Sequence, residues 1–401
     1  MPRKAPRDYT MAEQLARGPL DLPFLMLTMM LLGIGLVMMF SASYAVAYYD
    51  PQVSSPYFYI KRQATFAVGG IIIMMIVSHI NYQSFRWMSV PAIVGSIFLL
   101  VLVYTPLGVE ENQARRWLKL GIRFQPSEIA KVAVILFFAA MLCKRDTRKR
   151  RHWKNRTLGG RILNFLERIG FIELVPYGAI LMIIALLVVK QPHLSGTLLI
   201  LAGGASVLWA AGIHWGWFVA GISFVSAAVW FVITNTAYMT DRINLWLDPW
   251  ADFRGNGWQT CQSLLAMGSG GLFGVGLGNS KGKFDYVSES ENDFVFSILV
   301  EELGYIGGAI VLILFALLIL RGYWLALHAR DKFGTLTTVG IITLLAVQVF
   351  LNIGVVTNLI PNTGISLPFF SFGGTALVIQ LAEMGMVLSI SRQIPPVKQD
   401  R

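Results

Sequence analysis

Charge is what this chain of 401 residues has least of: Asp, Glu, Lys and Arg make up 14% of it, against 55% apolar residues. A water-soluble domain covers its surface with charged and polar side chains, so composition alone excludes an ordinary soluble globular protein. Cysteine is scarce too, and Cys143 and Cys261 fall on opposite sides of the bilayer inferred below, which excludes a disulfide between them. His79, His152, His193, His214 and His328 stand apart, so no transition-metal ligand cluster is visible. Nucleotide fingerprints are also missing. The glycine-dense stretch from Gly268 to Lys283 fits neither GxGxxG nor GxxxxGK[ST], and no strand precedes it.

Long apolar runs are plentiful. They recur at about 20 residues, the length of helix that crosses a bilayer core of about 30 Å. Spans are read at 22–46, 64–80, 88–105, 126–143, 174–190, 194–212, 216–235, 293–320, 335–358 and 366–391, giving an all-α polytopic membrane protein with about ten transmembrane helices. The first run is followed by no small-residue cleavage site before Tyr48, so it reads as a retained helix rather than a signal peptide. An even number of spans places both termini on one side, and Lys and Arg choose that side. Segment 1–21 carries Arg3, Lys4, Arg7 and Arg17, loop 144–173 carries the run Arg148 to Arg151 among other basic residues, and tail 392–401 carries Arg392, Lys398 and Arg401. These segments are expected in the cytoplasm. This bias accounts for the net charge of +11 without a nucleic-acid partner. The chain 1–401 thus reads as a single membrane domain with a large extracytoplasmic loop at 236–292.

Basic residues that topology does not explain lie on the outer side: Lys61, Arg62, Arg115, Arg116, Lys119, Arg123, Lys190, Arg242, Arg254, Lys281 and Lys283. They point to an anionic partner there, with anchoring to outer-leaflet headgroups as the alternative. Arg115 and Arg116 beside Trp117 suit a phosphate with an apolar tail. Gln125-Pro126-Ser127-Glu128 reads as a helix start, with Ser127 available to a free backbone N–H. Glu128 and Lys131 share one helix face inside an apolar span, either as a functional pair or as a neutral tie between helices. Asp241 to Gln259 alternates aromatics and charges, as an element lying in the membrane interface would. Glu289, Glu291 and Asp293 crowd the rim of the next span. Mutual repulsion and low dielectric raise such carboxyls toward the range of a general base, and Asp293 is best placed; the alternative is that Asn292 or Asp293 is only the cap of that helix, and the two roles can coexist. Glu301 and Glu302 lie two turns deeper. Pro361 to Thr375 reads as irregular backbone, tolerated at membrane depth only around a polar cavity or inside a bundle. Gly304, Gly307, Gly308, Ala346, Phe350 and Gly354 suggest a surface for a partner's span.

Taken together, Ala114-Arg115-Arg116-Trp117, Gln125 to Lys131, Gly257-Trp258-Gln259, Gly268 to Gly276, Asp293-Phe-x-Phe with Glu301-Glu302-Leu-Gly304, and Pro361 to Pro368 with Ser371-x-Gly373-Gly374 resemble the SEDS family of shape, elongation, division and sporulation proteins, nearer its FtsW and SpoVE branch than RodA. The resemblance implies a GT-C-like bundle in the bacterial cytoplasmic membrane. It also implies a peptidoglycan glycosyltransferase that polymerises lipid II with a class B penicillin-binding protein and other divisome or elongasome membrane proteins. It puts the catalytic acid at Asp293, and substrate contacts are expected at Arg115, Arg116, Trp117, Glu128, Lys131, Gln259, Lys281, Glu289 and Ser371. The chain departs from the family at Ser288 to Asn292 and at His193 to Gly196, which removes the family's support for a role of His193. In the chemistry so implied, Asp293 deprotonates a sugar hydroxyl, which displaces a lipid pyrophosphate with inversion, while Arg115, Arg116 or Lys131 balance the leaving charge. A divalent cation such as Mg could share that work, though no ligand set for it is evident. The rival classes are a lipid II transporter and a non-catalytic scaffold.

Overall fold

The structure, a computed structural model, describes residues 18–49, 55–111, 114–144, 170–191, 193–235, 243–284, 287 and 289–394. Most of the basic segments expected in the cytoplasm, together with Asp241, Arg242 and Ser288, therefore lie outside the described residues. The helices are α1 (Leu22–Tyr49), α2 (Phe58–His79), α3 (Gln83–Leu102), α4 (Pro126–Leu142), α5 (Phe171–Val189), α6 (Leu194–Ala210), α7 (Gly216–Asn235), α8 (Trp258–Ser269), α9 (Val295–His328), α10 (Lys332–Val356) and α11 (Gly374–Ser391). Each expected span overlaps a helix, although several of the bounds differ. Six helices, α1, α2, α3, α9, α10 and α11, are long and apolar enough to cross a membrane, and shorter apolar helices cover Glu173–Val189 and Leu194–Ala210.

The expectation of an all-helical chain is corrected between α3 and α4. There β1 (Gly108–Glu111), β2 (Ala114–Leu120) and β3 (Ile122–Phe124) form an antiparallel sheet in the order β1-β2-β3. The Arg-Arg-Trp-Leu-Lys alternation of β2 pairs Trp117 with Val109 and Leu118 with Phe124. Gly121, at φ 84°, allows the tight return into β3. Two faces of one strand thus separate neighbouring residues.

At the centre stands α4, whose side chains are buried almost all round, from Ala130 through Ile135 and Phe138 to Leu142. A helix apolar on every side belongs inside a bundle, and α4 packs against α3, α5, α6, α10 and α11. It begins at Pro126, as read from the sequence, but Ser127 does not cap it: the Ser127 hydroxyl is buried without a hydrogen-bond partner, and Gln125 occupies the cap position. Glu128, Lys131 and the buried ends of neighbouring helices are thereby fixed around one rigid axis.

Gly304 interrupts α9 with φ 73° and ψ 179°, a conformation essentially reserved for glycine. The glycine-rich loop fills the break by pairing with it strand-fashion. Val275 and Gly276 N–H groups donate to the carbonyls of Glu301 and Glu302, and Tyr305 and Ile306 N–H groups donate to those of Gly271 and Leu272. The carboxylates complete the join: Glu301 accepts from Ser280 Oγ at 2.5 Å, Lys281 N at 2.9 Å and Gly282 N at 3.2 Å, while Glu302 accepts from Ser41 Oγ at 2.6 Å and pairs with Lys283 Nζ at 3.3 Å. This arrangement corrects the expected partner face, because Gly304, Gly308 and Gly354 are buried within the protein's own core and Gly307 is half-buried against Leu303. Of that set only Phe350 is broadly exposed.

The described part of the loop expected at 236–292 is tied to itself and to the end of α10. Asp248 caps the short turn Pro249–Asp252 through Trp250 N, Cys261 Sγ donates to the Pro249 carbonyl, and Trp246 and Asn358 exchange two hydrogen bonds of 3.1 Å.

Candidate active site

A cavity of about 1370 Å³ occupies one end of the bundle. Five helices begin at its rim. Tyr59 and Arg62 come from the first turns of α2, Gln125 and Glu128 from the start of α4, His193 from the cap of α6, Asp293 from just before α9, and Gly373 and Gly374 from the start of α11. Helix N-termini carry unpaired N–H groups and partial positive charge, so their convergence favours an anionic ligand.

Irregular backbone closes the remaining side, as the segment from Pro361 to Gly373 suggested. Asn358 and Phe369 adopt positive φ of 58° and 66° there. Gln63 of α2 anchors the segment by donating to the Ser371 carbonyl at 3.1 Å and accepting from Gly373 N at 3.3 Å. The Ser371 hydroxyl accepts from Leu367 N at 2.7 Å, and Phe372 N donates to the Glu291 carbonyl at 2.8 Å. Asn352 of α10 ties this wall to the acid-bearing turn, since its Nδ2 reaches the carbonyls of Asp293 at 2.8 Å and Ile365 at 2.6 Å.

Asp293 lies on the cavity wall, preceding the helix cap, which is Phe294 with no side-chain hydrogen bond. The reading of Asp293 as the helix cap is thereby excluded. Its carboxyl is pushed up from 3.8 to about 6, first by burial, then by Glu289, with Arg116 opposing and Glu291 adding a little. Burial also pulls the Arg116 guanidinium down, with Asp293 resisting, and Arg116 Nε has no hydrogen-bond partner. His193 is driven to about 3 by burial and by the charges of Arg116 and Lys131, so it stays neutral, with its ring 3.3 Å from Gln125 Nε2. Lys131 Nζ sits 2.7 Å from Glu128.

Of the expected contacts, Arg116, Trp117, Glu128, Lys131, Gln259, Glu289 and Ser371 line the cavity with Asp293. Arg115 and Lys281 do not. Arg115 falls beside Glu110 in the sheet register and is exposed. Lys281 is held outside by its own amide bond to Glu301, and the neighbouring Lys283 is consumed in the ion pair with Glu302. Sequence reasoning missed Glu383, which is 5% exposed on α11, along with Gln348 and Gln380, whereas Arg62, read among the outer basic residues, does line the cavity. Glu383 had a visible signal, a carboxylate deep in an apolar span. Among the described residues no group of three His, Cys, Asp or Glu side chains is arranged to hold a metal ion. A Mg ion that keeps several waters and takes ligands from phosphate does not require such a group.

The arrangement supplies a base of suitable strength, an under-bonded guanidinium electrically coupled to it, and an ion pair on the same cavity lining. The chain matches the model of the cell cycle protein family FtsW/RodA/SpoVE over residues 22–395. It is similar to stage V sporulation protein E of Bacillus subtilis, with 42% identity over 93% of this chain and 97% of that protein. It is also similar to a probable peptidoglycan glycosyltransferase FtsW of Geobacter sp., with 36% identity over 93% and 97%. Among solved structures it matches a chain from a study of structural coordination of polymerization and crosslinking by a peptidoglycan synthase complex, with a TM-score of 0.72 and 26% identity over 93% of this chain and 98% of that one. The rod shape determining protein RodA of Thermus thermophilus matches with a TM-score of 0.63 and 26% identity over 94% and 97%. By the extent of these matches, the chain belongs to the FtsW/RodA/SpoVE family of cell cycle proteins.

Proposed function

We propose that this multi-pass membrane protein is a peptidoglycan glycosyltransferase that polymerises lipid II at the outer face of the bacterial cytoplasmic membrane, with both of its termini in the cytoplasm. The observation that carries the reading is Asp293: a carboxyl raised to about 6 on the wall of a cavity whose rim is made of helix N-termini. A base of that strength is largely ionised at neutral pH yet basic enough to take a proton from a hydroxyl as it attacks. In this reading Asp293 removes the proton from the acceptor sugar's 4-hydroxyl. That oxygen forms the new bond to the donor's anomeric carbon from the side opposite the lipid diphosphate, which leaves with the bonding electrons, inverting the centre.

Arg116, with an unsatisfied Nε, is placed to meet the diphosphate, and Trp117 beside it offers an apolar face to the adjoining sugar or lipid. Lys131 remains within its pair with Glu128 until a diphosphate competes for the ammonium. Gln259 is hydrogen-bonded to Asn362 at 3.0 Å and bridges the loop to the irregular wall, and Ser371 acts by holding that wall. Glu289 acts on Asp293 through its charge. The relatives named for polymerisation and for a synthase complex support a class B penicillin-binding protein as the partner that cross-links the product.

Purified protein and fluorescent lipid II in a single detergent phase provide the test. Polymer should form with the wild type and fall below detection with Asp293→Asn. Binding without polymer from an intact wild type would favour a transporter or a scaffold, because neither makes glycan when there are no two compartments to separate.

A further inference from the structure

A second cavity, of about 360 Å³, lies at the far end of α4 from the active site, between the start of α3 and the end of α4. It is lined by Arg86, Trp87, Ser89, Val90 and Pro91 of α3 and by Ala140, Met141 and Lys144 at the end of α4. Its chemistry differs from that of the large cavity. Among the described residues no acid lines it, and the nearby carboxylate, Asp331, is already occupied by Tyr82 Oη at 2.8 Å, Gln83 Nε2 at 2.7 Å and Gly334 N at 2.9 Å. The half-buried Arg86 guanidinium makes no hydrogen bond or ion pair with any described residue. A guanidinium left so, with Lys144 at the rim, is a place for phosphate.

Pro91 adds an acceptor. Having no N–H, it cannot return the helix bond to the Trp87 carbonyl, so that oxygen at the cavity's edge is left for an outside donor. Trp87 itself is 85% exposed, as befits a ring at the level of lipid headgroups. Below it, Val90, Val94 and Phe98 are exposed at 47%, 61% and 62%. Spaced four apart, they form one stripe of about 12 Å along α3, with exposed Met141 flanking its upper end. Such a stripe fits an acyl chain that continues from a headgroup at Arg86.

We propose that this cavity binds a membrane glycerophospholipid, with its phosphate on Arg86 and Lys144, a hydroxyl or ammonium of its headgroup on the Trp87 carbonyl, and one acyl chain along Val90, Val94 and Phe98. The basic segment that follows α4 places the site in the cytoplasmic leaflet. The shared chemistry is a phosphate ester, so the lipid must be distinguished from a free phosphate.

The test uses the full chain in detergent, titrated with phosphatidylglycerol or with phosphatidylcholine of the same chains and read by native mass spectrometry as retained lipid. Phosphatidylglycerol should be retained preferentially. Arg86→Ala should weaken its retention about tenfold, with Arg86→Lys intermediate. Brominated phosphatidylglycerol should quench a fluorescence component that is lost in Trp87→Phe. Inorganic phosphate at millimolar concentration should not displace the lipid. Equal retention of both lipids, unchanged retention in a folded Arg86→Ala, or displacement by inorganic phosphate would each overturn the assignment. If Arg86→Ala does not fold, quenching that survives in Arg86→Lys and is absent in Trp87→Phe decides for the site, and the absence of quenching in all proteins decides against it.

Discussion

Asp293→Asn should stabilise the protein as it silences it. The folded carboxyl has a value of about 6 against 3.8 ordinarily, so the folded protein holds a proton that the unfolded chain has already lost between those limits. Stability associated with this group is therefore complete below about pH 4, declines as pH rises, and is fully lost above about pH 6. The displacement, at about 1.4 kcal/mol per pH unit, corresponds to about 3 kcal/mol, and water in the cavity reduces it to about 1–3 kcal/mol. Asn keeps the shape, carries no charge at any pH, and forfeits no side-chain hydrogen bond to a described residue. Thermal unfolding in detergent should thus show the variant more stable than the wild type at pH 8 and equal to it near pH 4. The same titration governs turnover with the opposite consequence. Wild-type polymerisation should fall about tenfold between pH 7.5 and pH 5 as the base becomes protonated. An Asn variant no more stable at pH 8, or wild-type activity flat across that range, would refute the account of Asp293 as a base strained by burial.

Two further perturbations follow from neighbouring parts of the structure. Arg116→Ala removes the charge that restrains Asp293, so the acid limb of the activity profile should move to higher pH while donor affinity drops about tenfold; a profile of unchanged position would place Arg116 out of electrical contact with the acid. Gly304→Ala forces a side chain into a φ of 73° and against the Leu272 carbonyl, and should cost at least about 2 kcal/mol, measurable as a loss of folded yield and of unfolding temperature; an unchanged unfolding temperature would mean the break is not rigid.

The helices were legible because a bilayer imposes one length scale on apolar runs, and α4 begins at Pro126 where a ring that lacks an N–H loses nothing. Several runs misled at their ends, with α2 and α3 beginning at Phe58 and Gln83, six and five residues before the expected starts. The tenth was expected from 366, yet the chain stays irregular to Gly373, since Ser371 and Gln63 satisfy its backbone instead of a helix doing so. The eighth continues to His328, eight residues beyond the expected end. The sheet at Gly108–Phe124 escaped notice because its strands are short and follow an apolar run. Asp293, Arg116 and Lys131 were readable as charged groups in improbable places, whereas the displacement of Arg115 and Lys281 depends on the register of the sheet and on the capture of a loop by Glu301, and both of those are tertiary facts. His193 and Glu383 became neighbours of Lys131 only through packing of α6 and α11 around α4.

The five helix starts around the active-site cavity have a consequence for how this site tolerates change. Among its lining side chains, Asp248, Asp252, Glu128, Glu289, Glu291, Asp293 and Glu383 outnumber Arg62, Arg116, Arg123 and Lys131, so the ionisable groups by themselves would turn away a diphosphate. Each helix end supplies roughly half a positive charge. That contribution is made of peptide groups, so it neither titrates nor vanishes when a single codon changes. The lining can consequently drift among acids and bases, each tuning the chemistry, while a positive contribution that offsets most of the acidic excess is retained as a property of the way the chain is threaded.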